Sequence, residues 1–243
     1  MVRSKRDWTE EKLDRYVKES RGQGSGRDYN PWIKVSDFSA SGRVSRVLGW
    51  KTSREHHFMS DGETRLFYLF EWSDRIVDIR EQFPLLDREL CFKIAEDMGV
   101  EYPKDPKSSA PYVLSTDFML TVTHEGKNTY EARTFKPSRS LNNQRTAMKL
   151  ELERRYYAIK GIDWKIVTEK DIPKLMIKNI EWIHSSHKLE GNQEANKKEL
   201  HHIIKILRSK LETDTATVGK VVNDLDIEMN VGLVLSSSNR VTI

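Results

Sequence analysis

The stretch YVLSTDFMLTVTHEGKNTYEARTFK, residues 112–136, decides the fold. Two runs within it alternate apolar and polar side chains with a period of two, one ending at Val122 and one extending from Thr129 to Lys136. The segment between them, HEGKN at 124–128, contains residues typical of turns. Alternation on both sides of such a segment predicts a β-hairpin, and this is the strongest hairpin signal in the chain.

Shorter elements flank this hairpin on both sides. Capping residues and periodicity predict helices over 7–20, 64–72, 88–98 and 142–160, and strands within 43–58 and over 75–80 and 164–168. Such an order predicts an α/β domain, with a mixed sheet flanked by helices, over residues 1–168. A second, helical domain is expected over 169–243, with helices at 172–185, capped by Asp171, at 194–212 and from 215 or 217 to about 225.

Composition narrows the class of protein. The 243 residues include 41 Lys and Arg against 37 Asp and Glu, a net charge of +4, and 8 Phe, 8 Tyr and 6 Trp argue against disorder throughout. No apolar run is long enough for a membrane span or a secretion signal. The single Cys91 excludes an internal disulfide and a cysteine-based zinc site. We therefore expect a cytoplasmic protein of a reducing compartment with no membrane partner.

The charge is unevenly distributed along the chain. Residues 133–160 carry eight cationic and two acidic side chains, whereas residues 211–231 carry five acidic side chains and one lysine. The basic stretch suits either a solvated surface or a surface that contacts DNA phosphates, and the sequence leaves both open. The acidic stretch is better suited to a protein partner.

One group of residues has the chemistry of phosphodiester hydrolysis. Asp117 and Lys136 lie on the two strands of the hairpin and can meet, and Glu63 on the preceding helix can add a second carboxylate. Two carboxylates can hold Mg²⁺, which lowers the pKa of a bound water, while a lysine stabilises charge on the phosphate. The alternatives are structural: Ser60 and Glu63 form a capping-box pattern, Asp117 can face solvent, and Lys136 can protect an edge strand.

Other polar residues have two interpretations each. The glycine-rich loop at 21–32 predicts either a solvated linker or a loop that touches phosphates through Arg21 or Arg27. In the hairpin at 43–58, Arg54 and His56 either pack or contact DNA. Beside the strand at 75–80, the sequence does not decide whether Arg80, Glu81 and Gln82 orient a site or pair charges within the fold.

Several blocks resemble the TnsA family, the endonuclease subunits of heteromeric cut-and-paste transposases. The resemblance covers roughly residues 10–185, and its most specific parts are DIREQFPLL at 78–86 and KLELERRYY at 149–157. It includes RGQGSGRDYNPW at 21–32, KTSREHH at 51–57, SDGE at 60–63, STDF at 115–118, KP at 136–137 and NIEWI at 179–183.

The resemblance implies a restriction-endonuclease-like catalytic domain followed by a small helical, winged-helix-like domain. It assigns the metal site to Glu63 and Asp117, with the backbone carbonyl of Phe135, and assigns catalytic roles to Glu63, Asp117, Thr134 and Lys136. Thr134 stands where the family has glutamine, and we expect activity to survive this change. Family members continue beyond a segment that resembles residues 215–235, so the second domain is expected to lack the last family elements.

The resemblance also implies a function: Mg²⁺-dependent cleavage, with Mn²⁺ able to substitute, of the 5′ strand at transposon ends. The implied partners are transposon-end DNA, a TnsB-type integrase and a TnsC-type AAA+ regulator. The competing hypotheses are a DNA-binding assembly subunit with a degenerate site and a free-standing restriction-type nuclease. The candidate DNA contacts are Arg21, Arg27, Lys51, Arg54, His56, Arg139, Arg145 and Lys149.

Overall fold

The structure, a computed structural model, describes residues 7–37 and 43–184 together with helical positions 202, 205, 206, 208–213, 220, 221, 224 and 227. The chain divides into two compact units, Met1–His187 and Lys188–Ile243. None of the described helices is long and apolar enough to cross a membrane.

The first unit has a mixed β-sheet at its centre. Its strands are β1 Ser45–Leu48, β2 Glu55–Phe58, β3 Ile76–Pro84, β4 Ser115–His124, β5 Lys127–Phe135 and β6 Asp163–Val167. Strands β3, β4, β5 and β6 form one sheet in that order, antiparallel except for the parallel pair β5 and β6, and β1 pairs with β2 in a separate hairpin. The predicted mixed α/β architecture is therefore confirmed.

Helices cover both faces of this sheet. They are α2 Asp61–Trp72, α3 Arg88–Asp97, α4 Gln144–Ile159 and α5 Lys174–His184, whereas α1 Glu10–Lys18 packs in a separate apolar cluster with Trp8 and Trp32. Apolar side chains of α2 and α5 pack with Phe118 and Leu120 of β4, whereas those of α3 and α4 pack with Met119 of the same strand. The alternation of strand side chains thus separates two apolar cores.

Local sequence explains where these elements begin and turn. Thr9, Ser60, Asp87 and Asn143 each accept a hydrogen bond from a backbone N–H in the first turn of the following helix. The β4–β5 hairpin turns through Glu125 and Gly126, both with positive φ, as a tight two-residue turn requires.

Three features differ from the expectations. Strand β3 continues beyond Arg80 to Pro84. The loop at 21–32 is packed on β3 and is no free linker, since Gly22 contacts the Pro84 ring and the Gly26 N–H donates to Asp78. Asp171 is predicted to cap the helix that follows it, whereas its carboxylate accepts hydrogen bonds from the N–H and the hydroxyl of the preceding Thr168, and α5 begins at Lys174.

Helix α5 packs on α2 within the first compact unit. In the second unit, the described positions at 208–213 are helical and include an Arg208–Glu212 ion pair of 3.0 Å. Most of the helices predicted over 194–212 and 215–225 lie outside the described residues.

Candidate active site

The candidate site lies where strands β4 and β5 part. The two strands pair as far as Phe118 and Arg133. Beyond this point β4 pairs only with β3, down to Ser115, and β5 pairs only with β6, up to Phe135. The gap leaves backbone groups that the ladder no longer uses, which is where a side chain or a ligand can bind.

Asp117 fills part of this gap and meets Lys136, as the hairpin alternation predicts. Its Oδ2 accepts from the backbone N–H of Phe135 at 2.8 Å and from Nζ of Lys136 at 3.2 Å. The same ammonium group donates to the Phe135 carbonyl at 2.9 Å. Asp117 therefore replaces a missing ladder bond and holds Lys136 in place.

Glu63 reaches the site from the first turn of α2. Its Oε2 accepts from the backbone N–H of Met59 at 2.9 Å, and its Oε1 accepts from the Ser60 hydroxyl at 2.8 Å. The Ser60 hydroxyl in turn caps the helix through the Glu63 N–H. Glu63 can therefore take part in the capping box and place its carboxylate in the site at the same time.

A close contact brings α2 against the end of β5. Gly62 packs against the ring of Phe135, and a Cβ at this position would lie 1.9 Å from a ring carbon. Only glycine permits this approach. It places Glu63, the next residue, beside the gap between the strands.

The two carboxylates influence each other. Burial, followed by the negative charge of Asp117, raises the pKa of Glu63 to about 7. Burial acts to lower the pKa of Lys136, but the charges of Asp117, Glu153 and Glu63 outweigh it and raise that pKa. At neutral pH the lysine is therefore charged.

These residues fit a divalent cation. Glu63 and Asp117 offer hard oxygen ligands, and the Phe135 carbonyl accepts from the same Lys136 ammonium group that contacts Asp117. Burial and the negative charge of Asp117 disfavour the ionised form of Glu63, and a bound cation would favour it. No three acidic, histidine or cysteine side chains cluster as a metal site among the described residues, so water would complete the coordination.

Thr134 lies behind the site. It is fully buried and hydrogen-bonds to the Thr116 hydroxyl and to the Glu153 carboxylate of α4. Trp164 of β6 also donates to Glu153, at 2.9 Å. The threonine hydroxyl is therefore bonded within the fold, whereas a glutamine at this position is expected to offer a carbonyl oxygen to the site.

Of the predicted DNA contacts, Arg21 and His56 are buried and Arg54 is partly buried. Arg21 pairs with Asp37 at 2.5 Å. Arg54 and His56 both bind Glu81, at 2.7 Å each, and Glu81 is fully buried. Despite burial, His56 and Arg54 lower the pKa of Glu81. These polar groups are bonded inside the protein, which corrects the expectation that the three side chains face DNA.

The other predicted contacts lie nearer the surface. Lys51 donates to the carbonyl of Ser73 at the end of α2, and Arg27 is exposed. Lys149 lies one turn after Arg145 on α4; burial and the charges of Arg145 and Lys136 lower its pKa. Basic side chains therefore adjoin the candidate site.

The basic stretch at 133–160 divides into two parts. One part is neutralised by carboxylates: Arg133 with Glu131 and Asp163, Arg154 and Arg155 with Glu151, and Lys160 with Asp87. In the other part, Arg139, Arg145 and Lys149 form no ion pair with any residue in 7–37 or 43–184. We name these three residues and Lys136 the basic surface.

Comparison with known proteins identifies the family. Residues 73–169 match the model described as TnsA-like endonuclease N terminal, and residues 171–236 match TnsA endonuclease C terminal. The Transposon Tn7 transposition protein TnsA of Escherichia coli is 37% identical over 242 residues, which cover 100% of this chain and 86% of that protein. The chain belongs to the TnsA family. It is therefore related to transposase endonuclease subunits, as the resemblance implied.

Two residues near the site were missed from the sequence as contributors to it. In the sequence, Glu153 is counted only as one of the two acids in the basic stretch. Its apolar neighbours on α4, Leu150, Leu152 and Tyr157, are buried, and their spacing is a signal that Glu153 is buried too. Gln82 was left undecided, and the structure shows that its amide contacts Glu63. Its neighbour Glu81, by contrast, pairs charges within the fold.

Proposed function

We propose that this TnsA-family chain is an active Mg²⁺-dependent DNA endonuclease that cleaves the 5′ strand at transposon ends, making excision cut-and-paste. The observation that supports it most is the convergence of Glu63, Asp117 and Lys136 at the gap between β4 and β5. Membership of the TnsA family is a second support.

Each residue has a role that follows from its contacts. Glu63 and Asp117 would hold Mg²⁺ or Mn²⁺, beside the Phe135 carbonyl. The cation, when bound, supplies positive charge to the phosphate and acidifies a water. Lys136 keeps its proton, because neighbouring carboxylates raise its pKa. It therefore donates to a phosphate oxygen or orients the attacking water and does not act as the base.

DNA binding is assigned to the basic surface. Arg145, Lys149 and Lys136 are close enough for their charges to affect one another, and phosphates would relieve that repulsion. Arg27 and Lys51 remain candidate contacts at the edge of the same unit. The transposon end sequence itself is not specified by these residues, because phosphate contacts position DNA without reading its sequence.

Residues 169–243 are proposed to form the smaller helical, winged-helix-like domain. The match of residues 171–236 to the TnsA C-terminal model supports it. We propose that the chain acts with a TnsB-type integrase, which cuts the other strand, and a TnsC-type AAA+ regulator. Membership of the TnsA family is the support for both partners.

The test is excision of transposon-end DNA by the complete transposase carrying Asp117→Asn or Lys136→Ala. We expect each variant to leave the 5′ strand uncut, because one loses a cation ligand and the other the ammonium group. Asp163→Asn, which alters a surface acid paired with Arg133, serves as the control and should cut normally. Full double-strand excision by Asp117→Asn would refute the assignment.

Thr134 favours a second candidate function, that of a DNA-binding assembly subunit without cleavage. The threonine is bonded to Thr116 and offers the site no amide. This hypothesis predicts products in which only the 3′ strand is cut, and rescue of 5′ cleavage by Thr134→Gln. Cleavage by the unaltered chain would exclude it.

A further inference from the structure

Gln82 has an unusual backbone conformation within a strand. Its φ is +48°, in the left-handed region that residues other than glycine rarely adopt. The flanking residues keep the normal register, with Glu81 opposite Phe118 and Phe83 opposite Thr116. Gln82 therefore lies opposite Asp117, and the strain is located beside the candidate site.

The side chain of Gln82 is held at both ends of its amide. Its Nε2 donates to Glu63 Oε2 at 3.2 Å, and its Oε1 accepts from the Ser115 hydroxyl at 3.3 Å. The backbone carbonyl of Gln82 accepts from the Trp32 N–H. The residue is 4% exposed, so these contacts are made away from bulk water.

Gln82 completes the set of donors around Glu63. The Met59 N–H and the Gln82 amide share Oε2, and the Ser60 hydroxyl binds Oε1. Two of these donors belong to the turn before α2, whereas Gln82 alone comes from the sheet that carries Asp117. It therefore fixes the Glu63 carboxylate relative to the second carboxylate.

We propose that Gln82 is a positioning residue that orients Glu63 for the divalent cation. It brings an amide to the site in this chain, in which position 134 is a threonine bonded to Thr116. Replacing a residue that orients a metal ligand in this way typically weakens metal binding by about 10–100-fold. The inference rests on the proposed function, since it requires a cation at Glu63 and Asp117.

The test measures Mn²⁺ binding to the full-length protein by calorimetry, together with thermal unfolding in the absence of cation. Gln82→Leu removes the amide at similar volume, and we expect it to raise the Kd for Mn²⁺ about ten-fold or more. Gln23→Leu, which changes an exposed glutamine, is the control and should match the unaltered protein.

Unchanged Mn²⁺ affinity in folded Gln82→Leu, with only a lower unfolding temperature, would overturn the proposal, because a purely structural residue behaves in this way. If Gln82→Leu does not fold, Ser115→Ala decides, since it frees the other end of the amide. We then expect a Kd raised at least about two-fold, and an unchanged Kd overturns the inference. Absence of Mn²⁺ binding to the unaltered protein would instead refute the cation site itself, and the inference with it.

Discussion

At the scale of single residues, the site holds two acids in a buried position beside one lysine. Burial and the charge of Asp117 leave Glu63 with a pKa of about 7, well above its ordinary 4.5. Such an acid is partly protonated at neutral pH and must release its proton when it binds a cation. Cation binding and proton release are therefore coupled at this residue.

This coupling predicts a pH dependence of stability. Because the pKa of Glu63 is raised on folding, its contribution to stability without cation is complete below about pH 4.5 and is lost as the pH rises through about 7. We expect Mg²⁺ to raise the unfolding temperature more at pH 8 than at pH 6. Thermal unfolding at both pH values, with and without Mg²⁺, measures this.

Glu63→Gln provides the comparison. It has no proton to release, so its unfolding temperature without cation should fall less between pH 6 and pH 8 than that of the unaltered protein. Parallel profiles for the two proteins would show that Glu63 is not the group responsible.

At the scale of elements, the contact between α2 and β5 builds the site. A methyl group at position 62 would meet the Phe135 ring at 1.9 Å, so the helix or the ring must move. We expect Gly62→Ala to lower the free energy of unfolding by about 1–3 kcal/mol and to reduce cleavage, because Glu63 moves with the helix. Denaturant unfolding and a cleavage assay measure the two effects.

A second substitution tests the cause. Gly62→Ala combined with Phe135→Leu makes room for the added methyl group, so the pair should be less destabilised than the sum of the single changes. Strict additivity would indicate that the ring contact is not the origin of the loss.

Among the described residues, helix α4 carries unpaired cations near its start and paired cations near its end, and this difference predicts an effect on DNA affinity. Replacing Arg145 and Lys149 by alanine removes two cations of the basic surface. We expect weaker binding at all sequences and a shallower dependence of log K on log salt, by roughly two units. The matched control replaces Arg154 and Arg155, which are paired with Glu151. Equal losses in both double variants would contradict the assignment of the surface.

The elements also show what sequence could predict. The β4–β5 hairpin is predicted by the alternation of its side chains, and α4 by its helical periodicity and capping residue. Both signals are local in the sequence. The extension of β3 depends on a left-handed Gln82 and on packing of Pro84 against Gly22, which are contacts distant in sequence. In the same way, the composition of the loop at 21–32 predicts mobility, whereas the fold holds it on the sheet.

The candidate site was predictable to a similar degree. Alternation predicts that Asp117 and Lys136 meet, although they do so just beyond the last paired residues of β4 and β5. The capping pattern of Ser60 and Glu63 is also visible in the sequence. The burial of Arg54 was not predictable, because its partner Glu81 lies 27 residues away. A count of basic side chains in the sequence therefore overestimates the number of positive charges that can contact DNA.

At the scale of the whole molecule, the net charge of +4 conceals a separation of charge. Cations at the far end of α4 are neutralised by carboxylates, whereas Arg145 and Lys149 stand beside the candidate site without ion-pair partners in residues 7–37 and 43–184. An acidic stretch lies near the end of the sequence. The cations left unpaired among the described residues suit the proposed binding of DNA by the basic surface.

The most direct test of the central claim is strand-resolved cleavage of transposon-end DNA by the complete transposase, with Mg²⁺ present or removed by chelation. We expect a 5′-strand cut that requires Mg²⁺ and disappears with Asp117→Asn, while the 3′-strand cut by the partner integrase persists when Mg²⁺ is present. A 5′ cut that survives in Asp117→Asn, or a 5′ strand left intact by the unaltered protein, would contradict it.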